Sequence, residues 1–91
     1  MSKRTLVLGT EAACGTNAAG ASTFGTATVV RLVNTGTTVR LVSVIDEVGG
    51  STTIGTLSLP GGAVEHVEKQ SSYAIFAAHA EVKGTKVGYT N

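Results

Sequence analysis

The groups best suited to metal binding or acid–base work are few in this chain: two His, one Cys and six carboxylates among 91 residues. The densest polar run is Glu65-His66-Val67-Glu68-Lys69. On a strand, Glu65, Val67 and Lys69 share one face while His66 and Glu68 share the other. His66 beside Glu68 is the start of a zinc site or of a general acid/base pair, because imidazole titrates near neutrality. Zinc needs three or four ligands, and the candidates left to complete the set are His79 and Cys14. They would join it only if the strands carrying His66 and His79 paired. Without that pairing, the run reads as exposed charge guarding a sheet edge. Asp46 and Glu47 sit beside Gly49-Gly50 and offer calcium two carboxylates where it prefers several loop oxygens. A solvated hairpin end is the simpler reading.

Other chemistry finds no support. No Gly-x-Ser-x-Gly elbow occurs, and the glycines follow neither a phosphate-loop nor a dinucleotide spacing. Two Tyr, two Phe and no Trp supply few stacking platforms for single-stranded nucleic acid. The net charge is +1, with bases and acids interleaved, so no basic stripe marks a nucleic-acid partner. Cys14 stands alone, which excludes an internal disulfide framework. The apolar run of "MSKRTLVLG" stops at Leu8, too short for a signal peptide or a membrane span. The expectation is therefore a non-enzymatic protein made in a cytoplasm, with no cofactor, no bound metal, no nucleic acid and no membrane.

The elements that would carry these residues are strands. From Thr26 onward Val, Thr and Ile dominate, and β-branched side chains suit a pleated sheet. Turn signals recur about every ten residues, as in sandwiches and barrels. Strands are expected at 27–34, 38–46, 52–59, 63–69, 73–82 and 85–90. Turns are expected at Asn34–Gly36, Gly49-Gly50, Pro60-Gly61-Gly62 and Lys83-Gly84. The proline is placed at the first central position of its turn. The two valine-rich runs "VVRLVNTG" and "VRLVSVID" read as neighbours in one sheet. Strand 38–46 is apolar on both faces (Leu41 and Ile45 against Val42 and Val44), which predicts burial on both sides.

Residues 9–25 are Gly, Ala, Ser and Thr without apolar periodicity. They read as an extended arm that carries one short strand at 4–8. The division is thus an arm, 1–25, and a β-sandwich domain, 26–91. The arm is expected to dock on a neighbour by strand addition, leaving 26–91 folded without it. The fold class is all-β: an antiparallel sandwich of seven to eight short strands. Its order of Asn-x-Gly strand end, longer strand and Pro-Gly turn resembles the immunoglobulin-like sandwiches of adhesion and virion proteins.

An aliphatic core this small offsets chain entropy narrowly, which favours burial against another chain. A homo-oligomer is expected, with a trimer as the leading guess. Leu6, Val7 and Leu8 of the first strand are candidate partner contacts. So are Val29 and Val33, outward-facing if Val30 and Leu32 point inward.

Three stretches carry a resemblance: "STFGTATVVRLVNTGTT", "GTLSLPGGAVEHVEKQSSYAIFA" and "AEVKGTKVGYTN". Their marks are Val30-Arg31-Leu32-Val33-Asn34-Thr35-Gly36, Leu59-Pro60-Gly61-Gly62, Glu68-Lys69 and Val87-Gly88-Tyr89-Thr90. Over about residues 22–91 the chain resembles small virion-associated proteins of tailed phages, notably those infecting marine cyanobacteria. It departs from their pattern at Leu32. The resemblance implies a capsid decoration (cement) protein that stabilises the head shell. It further implies assembly in the host cytoplasm, the major capsid protein or another virion protein as partner, and no catalytic residues. The rival readings are a receptor- or carbohydrate-binding module on a tail or fibre, and a small metal-binding β-domain.

Overall fold

A computed structural model describes residues 4–90, with Tyr89 and Thr90 described by their backbone alone. The fold is all-β and antiparallel, with eight strands. They are β1 (Arg4–Val7), β2 (Ala12–Ala13), β3 (Val29–Asn34), β4 (Arg40–Ile45), β5 (Thr53–Leu59), β6 (Val64–Glu68), β7 (Ala74–Ala77) and β8 (Val82–Thr90). One sheet has the order β1-β8-β3-β6, with β2 also on β8; the other is β5-β4-β7.

The two valine-rich runs are β3 and β4, and they lie in different sheets. This corrects the expectation of neighbours in one sheet. Val30 and Leu32 from one sheet meet Val42, Leu59, Ile75 and Ala77 from the other in a single buried cluster. Asn34 explains why the chain crosses over here. It is fully buried, and its Nδ2 donates to the carbonyls of Thr38 (2.7 Å) and Leu59 (2.9 Å). Its Oδ1 accepts from the Gly36 N–H at 3.0 Å. Its backbone exchanges bonds with the next turn: Asn34 N donates to Ala63 O, and Gly62 N donates to Asn34 O. The side chain thus satisfies three backbone groups, two in the loop that follows it and one at the end of β5 in the other sheet, while its backbone ties in the Pro-Gly-Gly turn.

The Pro-Gly-Gly turn closes with Ala63 N donating to Pro60 O. Pro60 is thus the first residue of the turn, one place earlier than expected, and Gly61-Gly62 is its central pair. Gly62 has φ +76°, the conformation a type II turn requires there. A Cβ on Gly61 would lie 2.6 Å from the Thr37 carbonyl carbon, so only glycine lets these two loops touch.

Lys83-Gly84, read as a turn, lies inside β8. The reversal occurs at 78–81 instead, where His79 Nδ1 accepts from Glu81 N–H and Thr35 bonds to the Glu81 carbonyl. Gly84 serves packing. A Cβ there would come within 2.7 Å of Phe24 Cζ, so the missing side chain seats the ring. Phe24, Gly25 and Thr26 all have positive φ, an uncommon run. It is held by Thr23 Oγ1 accepting from Thr26 N and by Ala27 N donating to Thr23 O.

Residues 4–25, read as an arm, are built into this chain's own sandwich. β1 and β2 run along one side of β8, with two more arm residues than β8 residues between their registers. Gly15 and Ser22 then bridge to the free side of β7. Cys14 and Phe24 join the main core. Ala18 and Ala21 pack on Ile45, Ala74 and Phe76 in a second cluster, outside the three-stranded sheet. This cover buries Ile45, whereas Leu41 on the same strand stays exposed, so β4 is buried on both sides over only part of its length. Small residues serve here because the segment doubles back tightly: a Cβ on Gly15 would strike the Gly20 carbonyl.

Candidate docking surface

The five candidate contact residues fall on two faces. β3 alternates strictly, with Val30, Leu32 and Asn34 buried and Val29, Arg31 and Val33 half-buried on the outer face. Cross-strand pairing sets Val7 opposite Val87, Arg31 opposite both Thr85 and His66, and Val33 opposite Val64. A shallow groove of about 370 Å³ runs across this face, lined by Val7, Glu11, Arg31, His66, Thr85 and Val87 among others. An ion pair spans it, Arg31 Nη1 to Glu11 Oε2 at 3.7 Å, with both side chains partly exposed. Such a pair contributes little to stability.

Leu6 and Leu8 face the other way. Leu6 pairs with Gly88, and a Cβ on Gly88 would already touch Leu8 Cδ1 at 3.4 Å. β8 pairs with β3 only through Lys86, and from Val87 to Thr90 it pairs with β1 alone. The sheet thus continues past its neighbours as a two-stranded ribbon. The ribbon and its approach carry Leu6, Val7 and Leu8, which are 46%, 66% and 49% exposed. A two-stranded ribbon is marginal by itself in water. Such exposure of three consecutive aliphatic residues marks a contact surface. β1 is also the last strand of its sheet, so its outer backbone groups are open to strand addition.

The residues singled out for chemistry are dispersed. His66 and Glu68 lie on β6, at the edge of one sheet, while His79 follows β7 of the other. The strand pairing needed to join the two histidines does not occur. Among the described residues no group of three or more His, Cys, Asp or Glu could hold a metal ion. His79 is engaged with Glu81, whose carboxylate also takes the Arg40 guanidinium. Asp46 folds over Gly50, where a Cβ would meet its Oδ1.

Cys14 is 2% exposed, and burial, only partly offset by a backbone hydrogen bond, pushes its thiol up to about 12. A thiol held protonated at neutral pH is a poor nucleophile. It makes stability pH-dependent in a definite direction. The folded pKa lies above the ordinary 9.0, so this contribution is complete below pH 9 and is lost as pH rises toward 12. The loss is worth roughly 4 kcal/mol by linkage. Urea titrations at a series of alkaline pH values are expected to show this slope in the native chain and not in Cys14→Ala. Lys69 acts oppositely. Its buried ammonium donates to the Ala27 carbonyl at 2.6 Å, and burial lowers its pKa. Its cost to folding is therefore relieved as pH rises toward 10.5, and only the difference between the two Cys14 forms isolates the thiol.

No family model, no curated protein and no solved structure matches this chain.

Proposed function

We propose that this protein is a non-enzymatic virion structural component of tailed phages, a decoration protein that seats on the head shell and stabilises it. The observation that supports this reading most is the β1/β8 ribbon, with its exposed Leu6, Val7 and Leu8 and the open edge of β1. Such a projection suits a shell of many identical subunits, each offering one strand edge or one apolar crevice. The half-buried Val29 and Val33 on the outer face extend the surface a capsid subunit would cover. The buried, protonated Cys14 and the structural engagement of His79 and Glu81 fit a role in packing rather than catalysis. The all-β fold of two antiparallel sheets and the resemblance over residues 22–91 support the same class. On this reading the protein self-associates, works on the virion and is assembled there in the host cytoplasm.

The test is cosedimentation with undecorated heads of a tailed phage that infects marine cyanobacteria. The native chain is expected to bind saturably. A Leu6→Asp/Val7→Asp double variant is expected to lose binding at least about ten-fold while keeping its β-type circular dichroism, because charges on an apolar contact repel a desolvated partner. Absence of saturable binding by the native chain, or equal binding by the double variant, would overturn the proposal.

A further inference from the structure

The four sheet edges are treated very differently. β7 is covered by the bridges to Gly15 and Ser22. β6 carries Glu65, His66 and Glu68, the charged guard expected of an edge. β1 belongs to the ribbon and begins with Arg4. β5 has neither cover nor charge. No Asp, Glu, Lys or Arg occurs from Val48 to Val64, and six of its seven strand positions are exposed or half-buried. A seven-residue apolar and hydroxyl edge without these devices is a template for pairing.

The direction of its free backbone groups can be worked out. The Leu41 carbonyl accepts from Ala78 N, so Leu41 and Ser43 direct their backbone groups at β7. Arg40, Val42 and Val44 then face β5, where they oppose Leu59, Leu57 and Gly55. By the alternation of an antiparallel ladder, the N–H and C=O groups of Ile54, Thr56 and Ser58 are left pointing to the open side.

We propose that β5 is the contact through which two copies of this chain associate, antiparallel about a two-fold axis at Thr56. In that register Thr56 meets Thr56 and Ile54 meets Ser58 on the outer face. On the inner face Leu57 meets Gly55. This last pair selects the register. The space where a Gly55 side chain would be is open, with no atom within 4 Å. Gly55 and Leu57 also line a pocket of about 220 Å³ with Val44, Ile54 and Tyr73, beside Glu68 and Lys69 from outside β5. The half-buried Leu57 of one copy fills the vacancy over Gly55 of the other, and the two-fold repeats the fit. Moving the axis to Gly55 or Leu57 would set glycine on glycine or leucine on leucine. Threonine directly opposite threonine is a favourable cross-strand pair, and a charge-free strand meets its own copy without repulsion. Three copies cannot close through a self-complementary edge of this kind, so a trimer would have to use another surface.

The test needs no particle, so its failure would remove this self-association and leave head binding to be decided separately by cosedimentation. Analytical ultracentrifugation of the native chain is expected to give twice the 9.2 kDa chain mass. Thr56→Lys is expected to give the monomer with unchanged circular dichroism, since like charges would stand directly opposite each other. Under mild oxidation Thr56→Cys is expected to form an interchain disulfide about ten-fold faster than Ser58→Cys. Directly opposed Cα atoms lie about 5.5 Å apart, within disulfide reach, whereas two Ser58 positions would lie roughly 14 Å apart. Three results would each overturn the proposal: a monomeric native chain, a mass that Thr56→Lys leaves unchanged, or equal crosslinking at positions 56 and 58.

Discussion

Replacing Asn34 with alanine is expected to lower the unfolding free energy by about 3–5 kcal/mol, because buried groups left without partners each cost about 1–3 kcal/mol. The carbonyls of Thr38 and Leu59 lose their donor, and the Gly36 N–H loses its acceptor. Asn34 is completely buried, so water does not replace them without opening the junction between the sheets. For a domain of this size the loss is a large part of the total stability. Urea denaturation followed by circular dichroism measures it. Val33→Ala, one residue earlier and half-buried on the outer face, is the reference and should cost about 1 kcal/mol. A penalty for Asn34→Ala no larger than that of Val33→Ala would show that this side chain does not hold the sheets together.

Removal of residues 1–25 is expected to abolish cooperative folding, whereas removal of residues 1–7 is expected to leave it. The larger deletion takes away Cys14, Ala21 and Phe24, all buried. It uncovers Ile45 and Ala74 under the small-residue loop. It also strips β7 of its bridges and β8 of β1 and β2. Losing Phe24 alone is comparable to a Phe→Ala change in a core, about 3–5 kcal/mol. Of the described residues, the smaller deletion removes Arg4–Val7 of the ribbon, all of them exposed. Thermal unfolding of both truncated chains decides the matter. A cooperative transition in residues 26–91 would mean that the arm is an accessory after all.

These two predictions rest on features of unequal legibility. The strands themselves were readable: β-branched runs between Gly, Pro and Asn signals locate β3, β4, β5 and β6 to within a residue or two. The inward set of β3 follows from strict alternation, and Val30 and Leu32 are buried as that pattern requires. The partition of strands between sheets was not readable, because it depends on Asn34 reaching the carbonyl of Leu59, 25 residues away. Gly84 looked like a turn because glycine has two uses. Here it makes room for Phe24, a contact between residues 60 positions apart.

The arm was misjudged for a related reason. Ala18 and Ala21 show no periodicity, yet small side chains pack closely wherever a loop is held down by backbone bonds such as Gly49 N to Ala18 O. Among the proposed contact residues, Val7 and Leu8 were legible as apolar residues on a short strand. The ribbon was not, since its existence follows from β8 outrunning β3. The uncharged edge of β5 is visible in the composition of residues 48–64. Its meaning depends on knowing that β5 ends its sheet.

Hydrogen–deuterium exchange of the chain, free and bound to phage heads, tests most directly whether the ribbon is the element that docks. In the free protein the amides of β3 and β4 should be strongly protected and those of Thr5–Val7 and Val87–Thr90 weakly, since a two-stranded ribbon opens locally at little cost. On the particle, protection should rise at Thr5–Val7 and Val87–Thr90. Ribbon amides that exchange equally fast in both states, with new protection confined to other segments, would contradict it.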